Sequence, residues 1–109
     1  MSTGNTTATI NPGPLQMHVY ILQVSLALPS HSLKGKRGIV KSILSRARNR
    51  FNVSCAEVER QDDPATAELG FVAVSSSRNY ARQQLEKLEE WLVAERPDVE
   101  ITAAEIEEW

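Results

Sequence analysis

A chain of 109 residues with 41% hydrophobic and 24% charged side chains has the size and composition of one globular domain. Its one cysteine, Cys55, excludes an internal disulfide, and no CxxC or paired-histidine spacing offers a metal site, so neither a secreted disulfide scaffold nor a zinc module fits and a reducing cytoplasm fits best. The net charge of −2 hides a division: residues 1–56 hold seven Lys or Arg and no Asp or Glu, whereas residues 57–109 hold five Lys or Arg and fourteen Asp or Glu.

Residues 1–16 carry no charged side chain and are rich in Thr, Asn, Gly and Pro, ending near Pro12-Gly13-Pro14. That composition predicts a disordered tail, with neither the basic start of a secretory signal nor the arginines of a transit peptide. The folded unit then covers residues 17–109 as a single domain. Its longest apolar stretch, Val19 to Leu28, is broken by Gln23 and Ser25 and falls far short of the ~20 residues of a membrane helix.

Tyr20, Leu22, Val24, Leu26 and Leu28 alternate with Val19, Ile21, Gln23, Ser25 and Ala27, the period of a strand with one wholly apolar face. Pro29-Ser30-His31 breaks it, and Ser32 is a suitable N-cap. Leu33, Val40, Ile43, Leu44, Ala47 and Phe51 then share one helical stripe, which predicts a helix over about Leu33–Arg50 with Asn52 as its stop. Val53–Arg60 and Glu68–Ser75 read as two strands joined by a turn at Asp62-Asp63-Pro64. Ser76-Ser77 caps a second helix with the stripe Ala81, Leu85, Leu88 and Leu92, which must end before Pro97. Val99–Glu107 is a last strand whose apolar phase switches between Ile101/Ala103 and Ala104/Ile106, as a bulge would make it.

This order predicts an α+β ferredoxin-like βαββαβ sandwich: a four-stranded antiparallel sheet with two helices on one face. The other face is left open, with parts of Val19, Ile21, Val53, Cys55, Leu69 and Phe71 expected on it. A partly apolar face of that kind invites a second copy, so a homodimer through the open sheet face is one expectation.

All seven cations of the first half lie on the first helix. Lys34, Arg37, Lys41 and Arg48 follow one flank of its apolar stripe, and Arg46 and Arg50 the other. Lys34, Lys36 and Arg37 stand in the first turns, where the helix dipole disfavours cations by a few tenths to ~1 kcal/mol each. Gly35 and Gly38 cost about another 1 kcal/mol each relative to alanine. Two local rules are broken together, which points to function rather than folding. Ser32, Lys34, Lys36, Arg37, Lys41 and Arg48 are therefore the candidate phosphate- or RNA-binding residues. Solvation of a charged helix face, or pairing with Glu57, Glu59, Glu105 and Glu107, is the competing account.

No catalytic residue, metal ligand or cofactor site is expected. Cys55 sits mid-strand with no basic neighbour in sequence to activate it. His31 reads as an exposed loop histidine, and adjacent Asp62 and Asp63 as turn formers. Trp91 is expected beside the second helix's apolar stripe, and Trp109 in core or edge packing, with contact to a partner as the alternative.

Ser-Leu-Lys-Gly-Lys-Arg at 32–37, Asn-Arg-Phe-Asn-Val-Ser at 49–54, Ala-Glu-Val at 56–58 and Ala-Glu-Leu-Gly at 67–70 resemble the YlxP family, small bacterial proteins of unknown function. The resemblance spans Met17–Trp109 and implies a ferredoxin-like fold. Family genes stand in some bacteria beside those for translation initiation factor two and ribosome-binding factor A, which implies a link to translation or ribosome assembly. Gly35, where the family motif is often acidic, Gly38, where a larger residue is usual, and the long uncharged tail depart from the pattern. The expectation is a cytoplasmic, non-enzymatic protein that meets ribosomal RNA or ribosomal particles through its first helix, without a membrane partner. A homodimeric protein-interaction module or a binder of small anionic ligands is the alternative.

Overall fold

The period-two run around Tyr20 becomes the central strand β1, His18–Ala27, in a computed structural model that describes residues 16–109. The tail expected over residues 1–16 lies, apart from Gln16, outside the described residues. Helix α1 spans Leu33–Arg50, β2 Ser54–Glu59, β3 Thr66–Ser75, α2 Arg78–Glu95 and β4 Glu100–Glu108. The strands form one sheet in the order β2-β3-β1-β4, with every neighbouring pair antiparallel. This is the ferredoxin-like βαββαβ sandwich expected from the order of elements.

Both helices start where side-chain hydroxyls satisfy an orphan amide: Ser32 Oγ accepts from the Gly35 N–H, and Ser77 Oγ from the Tyr80 N–H. α1 closes one residue earlier than Asn52, on extended Phe51, whose N–H donates to the Ala47 carbonyl. Helix α2 ends at Glu95, ahead of Pro97 as required. The ring of Phe51 meets that of Trp91 edge-on, with centroids 5.6 Å apart, and ties the end of α1 to α2.

The core lies between the helices and one face of the sheet. Leu22 pairs with Phe71, Val24 with Leu69 and Leu26 with Ala67, so these side chains form rows under Ile43, Ala47, Leu85, Leu88 and Leu92. The phase expected for β2 and β3 is corrected here: Cys55, Leu69 and Phe71 are buried on the helix face, and Val53 packs against the same core. In their place Val72 and Val74 join Val19 and Ile21 on the open face. Val72 and Val74 make the second phase of β3 apolar at its C-terminal end, although Glu68 and Gly70 share that phase, and the pairing of Leu22 with Phe71 covers the other.

The switch of phase in β4 is a bulge. Ser25 pairs with Ala103 and Leu26 with Ile101, which leaves Thr102 as the extra residue; its hydroxyl donates to the Ser25 carbonyl. Ile101, Ala104 and Ile106 thereby all stand opposite inward residues of β1.

Candidate nucleic-acid interface

Six of the seven cations of α1 fall into three environments; the seventh, Arg50, is exposed in the last turn on the opposite flank and forms no ion pair among the described residues. Lys36 is 1% exposed and ranks among the largest fully buried side chains of the protein. Its Nζ donates to the carbonyls of Arg60 and Asp63 in the β2–β3 turn and lies 2.9 Å from Glu57 Oε2 on β2. Lys36 is thus withdrawn from the phosphate-binding set. Its ammonium is spent on the chain's own oxygens, and burial leaves it no path to a phosphate.

Glu57 is likewise removed from the competing account for the surface cations, since its carboxylate belongs to Lys36. The turn that receives Lys36 is itself built tightly. Arg60 takes the left-handed conformation (φ 59°), the Asp63 N–H donates to the Arg60 carbonyl, and Asp63 Oδ1 accepts from the Ala65 N–H at 2.9 Å. The Ala65 amide, before all other causes, holds the Asp63 carboxyl below its ordinary value. The expected role of Asp62-Asp63 as turn chemistry is what the structure shows.

A second group serves neighbouring elements. Arg46 forms an ion pair with Glu95 of α2. Arg48 Nη2 donates to the Cys55 carbonyl at 2.9 Å and so ties α1 to the edge strand β2. Cys55 is buried, with its Sγ 3.6 Å from the Leu44 carbonyl. Burial pushes its thiol up, against a smaller opposing effect of Arg48, as suits a side chain packed in the core.

Lys34, Arg37 and Lys41 make up the third group. All three are exposed, and among the described residues none of them forms an ion pair with a carboxylate. Arg37, Lys41 and Arg48 line a groove of about 490 Å³ between α1 and β2, walled by Val40, Leu44, Ser45 and Glu57. Lys34 stands one turn further toward the N-terminus on the same flank. Ser32, the remaining candidate, is occupied as the helix cap.

The two glycines of this stretch differ. A Cβ on Gly35 would approach Ser30 Oγ to 3.1 Å and Ser32 Oγ to 3.2 Å, so its bareness makes room for the cap. A Cβ on Gly38 would meet nothing within 4 Å, and no packing demand accounts for it. Of the local-rule violations at the start of α1, Lys36 and Gly35 are therefore structural. Lys34, Arg37 and Gly38 remain unexplained by folding.

Sequence reasoning missed the burial of Lys36, although a signal was present. Lys36 shares helical phase with Val40, Ile43 and Ala47, which follow it by four, seven and eleven residues. Among the described residues, no three His, Cys, Asp or Glu side chains come together as metal ligands, and no helix is long and apolar enough to cross a membrane.

Fold and surface together define a small ferredoxin-like α+β protein with a cationic helix flank. The chain belongs to the family described as "Protein of unknown function (DUF503)", which matches residues 19–106. It is also similar to the uncharacterized protein YlxP of Bacillus subtilis (strain 168), at 44% identity over 57 residues. That stretch is 52% of this chain and 62% of the relative, so less than two thirds of the relative's length is spanned. The resemblance read from the motifs at 32–37 and 49–70 is borne out, and neither comparison brings a reaction or a partner with it.

Proposed function

We propose that this protein is a non-enzymatic, RNA- or ribosome-associated factor of the cytoplasm, serving ribosome assembly or translation. Lys34, Arg37 and Lys41 neutralise successive phosphates, and the free N–H groups of Arg48 extend the track. The observation that carries this reading is the exposure of three uncompensated cations along one helical flank. By contrast Arg46, Arg60, Arg78, Arg82 and Arg96 each have an acidic partner. Gly38 beside them leaves backbone open to close approach by an anion.

Co-sedimentation with ribosomal particles across a salt series tests the proposal. Three to four phosphate contacts predict a log–log slope of about −2 to −3 for single-stranded RNA. Binding should vanish in the Lys34→Glu, Arg37→Glu, Lys41→Glu variant while its circular dichroism stays unchanged. Wild-type protein that never pellets, or a variant that pellets as well as wild type, would reject the reading. The convergence of Arg37, Lys41 and Arg48 on one open groove with an apolar wall of Val40 and Leu44 favours a second reading, a small organic anion held by these three cations. Titration with a mononucleotide in place of particles separates the two.

A further inference from the structure

The open face of the sheet is apolar at one end and acidic around it. Strand register sets Val74 opposite Val19, and Val72 opposite Ile21. The Trp109 N–H donates to the Val19 carbonyl at 2.8 Å, which extends the patch with an indole that is 84% exposed. Val72 and Val74 are 37% and 50% exposed, so this is uncovered surface and not core. Beside it the bare backbone of Gly70 floors a trough of about 330 Å³ flanked by Ile21, Ala56 and Val58. The core or edge packing expected of Trp109 is not what the structure shows.

The charged residues that strand register sets on this face are carboxylates. Glu107 pairs with Ile21 in the register, Glu105 with Gln23, and both Glu59 and Ser25 with Glu68. Arg60 lies 3.7 Å from Glu68 Oε2 and offsets part of that charge. Among the described residues Glu59, Glu105 and Glu107 form no ion pair. A second copy packed sheet on sheet would set two such carboxylate groups about 10 Å apart with few cations between them. The chemistry that complements the face is an apolar segment flanked by Lys or Arg.

We propose that the open sheet face docks a basic amphipathic segment of another protein. Its apolar side chains seat on Ile21, Val72 and the Gly70 trough, and its cations meet Glu105, Glu107 and Glu59. The face lies across the sheet from α1, so this docking and phosphate binding on α1 do not compete. The inference stands without the RNA reading.

Fluorescence anisotropy with three short labelled synthetic peptides tests it: one of Leu and Lys in amphipathic order, one with Glu for each Lys, and one with Ser for each Leu. The Leu/Lys peptide should bind full-length protein about tenfold or more tighter than either control. The Glu105→Lys, Glu107→Lys variant should lose about tenfold in affinity, whereas the α1 triple-glutamate variant should lose none. Equal binding of the Leu/Glu peptide, or undiminished binding by the Glu105→Lys, Glu107→Lys variant, overturns the proposal. A dimer in sedimentation equilibrium that Val72→Lys dissociates also overturns it, because the occupant is then a second copy.

Discussion

The ammonium of Lys36 in α1 lies 2.9 Å from the Glu57 carboxylate of β2, inside the protein, and two carbonyls of the β2–β3 turn complete its surroundings. A charge in this position is tolerated because every oxygen around it is an acceptor. The contact joins the start of α1 to the β2–β3 turn.

Removing the ammonium leaves the Glu57 carboxylate and the Asp63 carbonyl without a donor, and the Arg60 carbonyl with only the Asp63 N–H. Lys36→Ala should cost about 3–5 kcal/mol in urea unfolding, the usual loss when one side of a buried ion pair is deleted. The pair Lys36→Met, Glu57→Leu should recover much of that, since it removes both charges. Binding to ribosomal particles by folded Lys36→Met protein should match wild type, because the ammonium faces the interior. A cost below about 1 kcal/mol for Lys36→Ala would show that the turn is held by other bonds.

The two glycines of α1 give a paired prediction. Gly38→Ala places its methyl in open space and should raise stability by about 1 kcal/mol through helix propensity alone. Gly35→Ala presses on Ser30 Oγ and Ser32 Oγ and should gain clearly less. The same Gly38→Ala variant should bind ribosomal particles more weakly. A stability gain with unaltered binding would take Gly38 out of the interface.

These outcomes turn on which features of the chain are local. Strand β1, both N-caps and the stop before Pro97 were legible, because period, hydroxyl and ring constraint act within a few residues. The bulge in β4 was legible as a change of phase between Ile101 and Ala104. The environment of Lys36 was not, since its acceptors, Arg60 and Asp63, lie more than twenty residues downstream and reach it only through the tertiary fold. The faces of β2 and β3 were misread for a related reason. Leu69 and Phe71 compete with Val72 and Val74 for the covered side, and the pairing of Leu22 with Phe71 decides between them. The cations at 34, 37 and 41 were legible as a surface flank because helical phase alone places them away from Val40, Ile43 and Ala47.

Charge reversal at Lys34 separates stability from binding. Lys34 is the second residue of α1, and the first turn holds no acid to meet the helix dipole. Lys34→Glu should therefore raise stability by a few tenths to about 1 kcal/mol in low salt, while particle binding falls and its salt slope shrinks by about one contact. Differential scanning calorimetry and co-sedimentation of the same sample read both effects. Loss of stability together with loss of binding would mean that Lys34 serves the fold.

Acid stability should report on the β2–β3 turn. The Asp63 carboxylate accepts the Ala65 N–H at 2.9 Å, and that bond is the first cause of its lowered pKa, with the Lys36 ammonium a lesser one. A carboxyl whose folded pKa lies below its unfolded value contributes stability above the ordinary value of 3.8, and loses it as pH falls through the lower folded value. Asp63→Asn keeps an oxygen for the Ala65 amide but carries no titrating charge. Its melting temperature should lie below that of wild type at neutral pH and fall less steeply in acid, so that the two curves converge. Asp98, held below its ordinary value by the hydrogen-bonded Arg96 side chain, remains in the variant and keeps part of the acid slope. Melting curves of both proteins from neutral pH down into the carboxylate range measure this; parallel curves would mean that Asp63 titrates alike in the folded and unfolded chain.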